Sequence, residues 1–270
     1  MSAPADAVSD LRGEPADAVS PAPTFFRLVG EVIAEDAESL AALHDRELTP
    51  DLLAALHDAK FPACLGLMPA TSAVAAAWRT MADGLASLSA APDAAVFDDL
   101  AVEYAAIYLT GAYGASPCES VWTDDDHLVC QDAMFQLRDI YAAAGLAATD
   151  WRHRPDDHLV LQLLYVAHAA RATTTRAQMR NLADMLDMHL LRWLPGFAAR
   201  VAARSSSQFY AGLAVLTVAW LDTLRDLLVV QLGEPRPSRA AIEERLHPRR
   251  EIETEAVPMQ FIPGTAGPSW

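Results

Sequence analysis

Apolar residues recur at helical spacing over most of the chain. In the segments 176–192 and 206–232 they follow the i, i+3, i+4, i+7 pattern of a helix that covers a core with one face. The stripe residues are Leu182, Met185, Leu186, His189, Leu190 and Trp193 in the first segment, and Phe209, Leu213, Leu216, Trp220, Leu224 and Leu227 in the second. No segment combines apolar alternation with β-branched residues, so no sheet is predicted. The pattern therefore predicts an all-α, single-domain bundle of roughly ten helices.

Proline, glycine and cap residues predict where these helices begin and end. Thr71 or Ser72 suits an N-cap, and Gly145 suits a C-terminal cap. Two long interior loops are expected, at 111–126 and at 147–157. The predicted helices span residues 24–35, 37–46, 50–60, 71–89, 93–109, 128–144, 157–171, 176–192 and 206–232.

Composition changes this picture at the two ends of the chain. Apolar residues make up 52% of the sequence, which is enough for most of it to fold. Residues 1–23 are instead rich in Ala, Pro and Asp. We expect a disordered tail over 1–23, an all-helical domain over 24–232, and a partly irregular C-terminal extension over 233–270.

The chain is strongly acidic. It has 20 Lys and Arg residues against 36 Asp and Glu residues, which gives a formal net charge of −16. Nucleic acid and anionic membranes are disfavoured as partners because both are polyanions. A basic partner suits this charge, although acidity that only maintains solubility is an equally open explanation.

Cysteine usage and the N-terminal sequence predict a cytoplasmic protein. Three cysteines without close pairing (Cys64, Cys118 and Cys130) argue against a disulfide framework and fit a reducing compartment. Residues 1–23 lack the basic and apolar regions of a signal peptide. The longest uncharged apolar stretch, 205–221, is too short and too polar for a membrane span, so no stable membrane insertion is expected.

A short polar turn at 154–158 runs directly into an apolar stretch. Pro155 fixes its own φ and disfavours helix at the residue before it. Asp156 or Asp157 is placed to cap the next helix, and His158 would then lie in its first turn, where the helix dipole favours neutral imidazole. The turn could therefore display an acid and an imidazole to a peptide partner. On residue chemistry alone, an ordinary helix start with His158 as a surface residue is the favoured interpretation, because such caps are common.

The loop at 111–122 is a second candidate for binding. Glu119 could receive a guanidinium from a basic peptide, because carboxylates pair well with arginine. Tyr113 and Trp122 could supply an apolar and cation–π surface, while Trp122 could instead close the core. The run at 124–126 is three consecutive aspartates and is expected to be solvated.

Motifs typical of enzymes are missing from the sequence. It has no phosphate-binding loop, dinucleotide-binding glycine motif, His-Glu-x-x-His or Cys-x-x-Cys. Cys118, His127 and Cys130 match no standard zinc spacing, so neither a metal nor a cofactor is expected. His189, in an apolar stripe, is expected to be a hydrogen-bonded core histidine. Trp193 and Trp220 are expected to be packing residues.

An ordered set of short motifs resembles the TorD/DmsD family of maturation chaperones, which are all-helical and cytoplasmic. Pro155 to His158 resembles the family's Pro-x-Asp-His, and the segment 117–122 resembles its Pro-Tyr-Glu-Ser-Val-Tyr, with Cys118 in place of an aromatic residue. Three further segments resemble family motifs: 103–109 (Tyr-x-x-Leu-Phe), 141–146 (Tyr-x-x-x-Gly-Leu) and 189–197 (His-x-x-x-Trp-hydrophobic-Pro-x-Phe). The order and spacing agree across residues 100–230.

The resemblance implies a non-catalytic chaperone for a molybdopterin-dependent oxidoreductase. Such a protein binds the apo catalytic subunit, often through its twin-arginine leader, assists cofactor insertion and prevents premature export. Carried over by motif, Pro155, Asp157 and His158 would form the client-binding surface with the loop that holds Tyr113, Glu119 and Trp122. The protein could be a monomer or a dimer. The alternative is a helical adaptor that binds another basic peptide or helix.

Overall fold

The computed structural model describes residues 21–89 and 92–246, and this part of the chain is helical, as predicted. Within it there is no strand, only one isolated antiparallel bridge between Cys118 and His158. The helices are α1 (Pro21–Asp45), α2 (Pro50–Asp58), α3 (Ser72–Ala86), α4 (Ala94–Tyr104), α5 (Ser120–Thr123), α6 (Asp132–Ala143), α7 (Leu159–Ala172), α8 (Arg176–Met185), α9 (Leu191–Arg204), α10 (Gln208–Leu232) and α11 (Arg239–Leu246). Two π-helical segments, Ala105–Leu109 and Leu186–Leu190, continue α4 and join α8 to α9.

The chain divides into two compact units between Arg236 and Pro237. The first contains α1 to α10, and the described part of the second is α11 with its flanking residues. The predicted tail lies outside the described residues up to residue 20, and so does the predicted C-terminal extension from residue 247. No helix in the described ranges is both long and apolar enough to cross a membrane.

Three helix pairings build the core of the first unit: α1 with α7, α3 with α10, and α9 with α10. Trp193 and Trp220 are both buried, which confirms that they are packing residues. Thr71 caps α3 through its side chain, which accepts a hydrogen bond from Val74 N at 3.2 Å. Gly145 follows α6 with a φ of +74°, as a C-terminal glycine cap requires.

The prediction of two N-terminal helices is wrong, because α1 runs unbroken from Pro21 to Asp45. The residue between the two predicted helices is Asp36, and its carboxylate is hydrogen-bonded to residues outside α1. It accepts hydrogen bonds from the backbone N–H groups of Gly66 and Leu67 and from Trp220 Nε1, each at 2.9 Å. A buried acid with three donors costs the helix little, so the chain does not break there.

The predicted end of a helix at residue 192 is also wrong. The helical path continues through α9 to Arg204, with Pro195 inside it. Proline in a helix costs about 3 kcal/mol. That cost is smaller than the gain from burying the apolar face of α9, where each large side chain contributes roughly 1.5–3 kcal/mol. The buried residues are Trp193, Leu194, Phe197, Ala198 and Val201.

The helix predicted to begin at residue 128 begins instead at Asp132. His127 and Cys130 have φ values of +55° and +58°, which is left-handed backbone that cannot belong to a right-handed helix. The preceding loop contains the short helix α5, which the sequence pattern did not predict. Asp125 and Asp126 are exposed, as expected for the solvated run of aspartates.

Candidate client-binding site

The two candidate binding segments are hydrogen-bonded to each other along their backbones. Glu119 N donates to Asp157 O at 3.1 Å, and Leu159 N donates to Pro117 O at 2.8 Å. These bonds form the short antiparallel bridge between Cys118 and His158. We call residues 117–120 and 155–159 the junction. The sequence placed both segments in one binding surface, and the structure brings them together.

Asp157 holds the far side of the junction in place. Its Oδ2 accepts a hydrogen bond at 2.8 Å from the backbone N–H of Ser120, the first residue of α5. Its own carbonyl accepts from Gln162 Nε2 at 2.9 Å. Asp157 is fully buried and its Oδ1 has no hydrogen-bond partner; burial raises its pKa above the usual value. The prediction that Asp156 or Asp157 caps α7 is therefore wrong, because Asp157 binds the start of a different helix.

Asp156 anchors the junction to α6. Its Oδ2 accepts hydrogen bonds from Arg138 Nε at 3.2 Å and from Arg138 Nη2 at 2.8 Å. Its carbonyl accepts from the hydroxyl of Tyr141, also on α6, at 3.0 Å. Because both its side chain and its backbone are held, the turn after Pro155 is rigid, as the sequence predicted.

His158 is the residue that caps α7. Its Nδ1 accepts a hydrogen bond from Val160 N at 3.2 Å. An imidazole whose Nδ1 accepts must carry its proton on Nε2, so Nε2–H is the free donor of the ring. Burial, followed by the nearby charge of Arg154, lowers the pKa of His158 to about 4. The ring is neutral at physiological pH, as predicted, but burial rather than the helix dipole is the main cause.

A groove of about 360 Å³ lies between the junction and the π-helical end of α4. Pro155 and His158 line one side of it, together with Pro117 and Cys118 from the junction's other segment and Ser116 just before that segment. Tyr104, Tyr108 and Thr110 line the α4 side. The groove therefore combines aromatic faces with hydroxyl groups and the imidazole, which is the mixed lining typical of small binding sites.

Glu119 is not exposed to the groove. It is fully buried, and its carboxylate oxygens lie 3.0 and 3.2 Å from Nδ1 of His189. In this arrangement Glu119 cannot receive a guanidinium directly, and its effect on binding must pass through the loop that it anchors. The expectation that His189 is a hydrogen-bonded core histidine is confirmed.

Tyr113 and Trp122 are both half-buried on the loop that precedes α6. The hydroxyl of Tyr113 donates to Glu103 Oε1 at 3.0 Å, and Trp122 Nε1 donates to Ser116 O at 2.8 Å. The guanidinium of Arg200 lies 5.7 Å from the centre of the Trp122 ring. Trp122 thus packs against the core, as one of its two predicted roles requires, and its cation–π contact is made to a residue of the protein itself.

A buried hydrogen-bond chain beneath the groove was not predicted from the sequence. Thr217 Oγ1 donates to Leu213 O at 2.8 Å, so it must accept from His44 Nε2, which lies 2.9 Å away. His44 Nδ1 then accepts from the hydroxyl of Tyr108 at 2.6 Å. Burial lowers the pKa of His44 to about 3. Only the polar character of His44 within an apolar stretch could have signalled this, since its partners lie 64 and 173 residues away.

Metal binding finds no support in the part of the chain that is described. No three His, Cys, Asp or Glu side chains converge there in a way that could hold an ion. Cys118 is buried, and burial raises the pKa of its thiol to about 12, so it is not a thiolate ligand in this environment.

Known proteins resemble this chain over most of the helical unit. The family described as nitrate reductase delta subunit matches residues 69–199. Chaperone protein TorD from Vibrio cholerae serotype O1 (Classical Ogawa 395) is 27% identical over 205 residues, which is 73% of this chain and 92% of that protein. Chaperone protein TorD from Shewanella sp. (strain ANA-3) is 30% identical over 164 residues, 58% of this chain and 74% of the relative. These similarities show that the chain belongs to the TorD/DmsD family of maturation chaperones.

Proposed function

We propose that this protein is a cytoplasmic, system-specific chaperone for the catalytic subunit of a molybdopterin-dependent oxidoreductase. It binds the apo subunit together with its twin-arginine leader, keeps the subunit open for insertion of the cofactor and prevents premature export. Relatives named Chaperone protein TorD support the chaperone role. The observation that carries the proposal for this chain is the groove at the junction, where the two family motifs meet.

His158 is the residue best placed to bind a peptide in the groove. Its Nε2–H is a donor whose ring is already fixed by the cap on α7, so no rotamer has to be ordered on binding. A peptide carbonyl is the natural acceptor, and neutral imidazole needs no counter-ion. Ser116 also lines the groove and adds a hydroxyl group, whereas the hydroxyl of Thr110 already donates to Ala105 O at 3.1 Å.

Pro155 completes the groove by fixing the backbone that carries His158. Asp157 and Glu119 serve the site from below, because both are buried and hold the junction's two segments in register. Tyr113 and Trp122 shape the outer part of the loop, with their polar atoms already bonded within the protein. The binding surface is therefore preorganised, which reduces the entropy cost of binding a specific peptide.

The charge of the protein suits the proposed partner. The formal net charge of −16 attracts a leader that begins with basic residues. Attraction of this kind raises the rate of encounter more than the final affinity, and it weakens with salt. A chaperone that must capture a leader early and release it later needs fast encounter without very high affinity.

Affinity capture from the native host tests the proposal. Tagged wild type is compared with His158→Asn and His158→Ala. Asn retains the ability to cap α7 whereas Ala does not. Both variants remove the ring from the groove. His127→Asn is the matched control, because His127 is exposed, does not line the groove and has a positive φ that Asn tolerates.

We expect wild type and the His127 variant to co-purify a large molybdopterin-type subunit, and both His158 variants to lose it. Equal capture by all four proteins would remove the groove from the mechanism. If wild type captures no such subunit, the proposal fails and the adaptor alternative replaces it.

A further inference from the structure

One side of the protein, formed by α6, the loop after it and α7, exposes several large apolar side chains. Phe135 is 52% exposed and Trp151 is 40% exposed, and no other aromatic side chain in the ranges 21–89 and 92–246 is as exposed as these two. Leu146 and Leu164 are 37% and 42% exposed. We call these four residues the apolar face. Apolar side chains that cluster on a surface commonly mark a site of protein association.

The two aromatic rings of the apolar face are joined by one guanidinium. Arg138 Cζ lies 5.6 Å from the centre of the Phe135 ring and 5.2 Å from the centre of the Trp151 ring. The same guanidinium is held by Asp156, because Nη2 donates to Asp156 Oδ2 at 2.8 Å. The rings are therefore ordered before any partner arrives, which reduces the entropy cost of binding one.

The two leucines connect to the turn that carries Trp151. Leu146 and Leu164 line one hollow of about 230 Å³, and Ala148 lines both this hollow and the next one, where Asp150 lies. Since Asp150 is the residue directly before Trp151, the apolar face is continuous from α7 to the turn.

Trp151 stands between two exposed residues of opposite charge. The carbonyl of Asp150 accepts hydrogen bonds from His153 N at 3.2 Å and from Arg154 N at 2.9 Å, so residues 150–154 form one helical turn. Residues two apart in such a turn point in nearly opposite directions, which places Asp150 and Arg152 on opposite sides of Trp151. Arg152 Cζ lies 5.0 Å from the centre of the Trp151 ring, and its charge has no carboxylate partner among the residues that the structure describes.

We propose that the apolar face binds a second copy of this protein, in a dimer whose twofold axis passes between the two Trp151 side chains. Because Asp150 and Arg152 flank Trp151, this axis brings Asp150 of one copy opposite the partner's Arg152. The symmetry repeats the contact, so the interface gains two ion pairs around a centre of stacked aromatic and apolar side chains. Tryptophan and arginine are the residues that most often dominate the binding free energy of protein interfaces.

The charges beside Trp151 select this partner over others. A purely acidic segment would be repelled by Asp150, and a purely basic one would be repelled by Arg152. A second copy presents both signs in the reversed order and satisfies both residues at once. The formal net charge of −16 on each copy opposes association at long range. At about 0.15 M salt that repulsion is screened beyond roughly 8 Å, whereas contacts within the interface are screened much less.

Charge reversal at the two flanking positions tests the dimer. Asp150→Lys leaves only cations beside Trp151, and Arg152→Glu leaves only anions, so each variant meets like charges twice when it pairs with itself. Sedimentation velocity of the full chain between about 1 and 100 μM should show a wild-type dimer whose population rises with concentration. Each variant alone should have a dissociation constant about tenfold higher or more.

An equimolar mixture of the two variants should dimerise again, because the cationic copy then faces the anionic one. Recovery in the mixture also shows that both variants are folded. Asp98→Lys and Arg204→Glu are the matched controls, since both residues are exposed and lie on α4 and α9, which contribute nothing to the apolar face. Each control should dimerise as wild type does.

Three results would overturn the inference. Wild type that remains monomeric at about 100 μM would leave the apolar face to a different kind of partner. Single reversals that dimerise as well as wild type would place the contact elsewhere, as in an exchange of helices between copies. Variants that are monomeric both alone and in the mixture would show that Asp150 and Arg152 do not pair across the interface.

Discussion

Asp157 fixes the start of a helix that lies 37 residues earlier in the chain: its Oδ2 accepts a 2.8 Å hydrogen bond from the backbone N–H of Ser120. The Ser120 hydroxyl in turn accepts from Gln131 N at 3.1 Å, just before α6. One carboxylate thus links the turn before α7 to α5, and through Ser120 to the entry into α6. The shape of the groove depends on this link, because His158 follows Asp157 directly, Cys118 lies two residues before Ser120, and both line the groove.

Two substitutions of Asp157 should separate the contributions of its hydrogen bond and of its charge to the free energy of unfolding. Asp157→Ala leaves the buried Ser120 N–H without an acceptor, and we expect it to lower the free energy of unfolding by about 1–3 kcal/mol. Asp157→Asn keeps an acceptor oxygen and removes a buried charge, so it should be close to wild type at neutral pH. Urea unfolding followed by circular dichroism measures both. Equal destabilisation by the two variants would show that the charge itself is required.

The difference in the free energy of unfolding between wild type and Asp157→Asn should change with pH in a definite direction. Burial raises the pKa of Asp157 in the folded protein, so the folded state binds a proton more readily than the unfolded state. Wild type should therefore gain stability relative to Asp157→Asn as the pH falls from neutrality through the folded pKa towards the unfolded one. A difference that stays constant from pH 7 to about pH 4 would contradict the assignment.

The helices with strong amphipathic stripes could be predicted from the sequence because their signal is local. In α10, Phe209, Leu213 and Trp220 are buried as their spacing indicated, and Gly233 ends the helix with a φ of +64°. Helix continuity across a polar residue could not be predicted in this way. Asp36 interrupts the apolar pattern of α1, yet it is buried because Trp220, 184 residues later, donates to it. Patterns within a short window carry no information about such a partner.

The candidate site could be predicted only in part for the same reason. The rigidity after Pro155 followed from neighbouring residues. The neutral state of His158 was expected from the helix dipole but is caused mainly by burial. The partners of Asp157 and Glu119 did not, since Ser120 and His189 become neighbours only when the helices pack. Motif resemblance grouped two segments that the structure places in contact, but it could not show which of their residues line the groove and which are buried beneath it.

Acid should destabilise the protein through His44. Burial lowers the pKa of His44 from 6.5 to about 3, so the folded protein excludes a proton that the unfolded chain binds. The resulting stability is present above about pH 6.5 and is lost progressively as the pH falls from there towards 3. The full window corresponds to roughly 5 kcal/mol. His158 adds a change in the same direction, because its pKa is lowered to about 4.

His44→Gln isolates this contribution. Its amide can donate to Thr217 and accept from Tyr108 as the imidazole does, but it does not titrate. The free energy of unfolding, measured with urea between pH 7 and pH 5, should fall less steeply for this variant than for wild type. Parallel pH profiles for the two proteins would show that His44 is not excluded from protonation in the folded state.

Gly30 allows α1 to approach α7 closely. A Cβ atom at this position would lie 2.6 Å from the carbonyl oxygen of Ala170, which is backbone and cannot move aside alone. Gly30→Ala should therefore destabilise the protein by about 1–3 kcal/mol, even though alanine is the better helix former by about 1 kcal/mol. Thermal unfolding monitored by circular dichroism checks this. A higher melting temperature for Gly30→Ala than for wild type would show that α1 and α7 leave room for a Cβ atom at this position.

The buried ion pair between Asp187 and Arg225 couples the π-helical segment Leu186–Leu190 to α10. Arg225 Nε lies 2.9 Å from both carboxylate oxygens and Nη2 lies 2.7 Å from Oδ2, while Nη1 is buried without a hydrogen-bond partner. Removing one partner leaves an unpaired buried charge, so Arg225→Leu or Asp187→Leu alone should cost about 3–5 kcal/mol.

Replacing both partners should recover much of that loss, because no buried charge then remains and buried ion pairs often gain little over apolar contacts. The four proteins form a double-mutant cycle that urea unfolding at neutral pH can complete. The distances predict a large coupling energy, with the double variant losing much less stability than the two single losses added together. If the double variant is as unstable as the two single losses added together, the pair does not interact energetically, and the geometry of the π-helical segment must depend on its apolar neighbours instead.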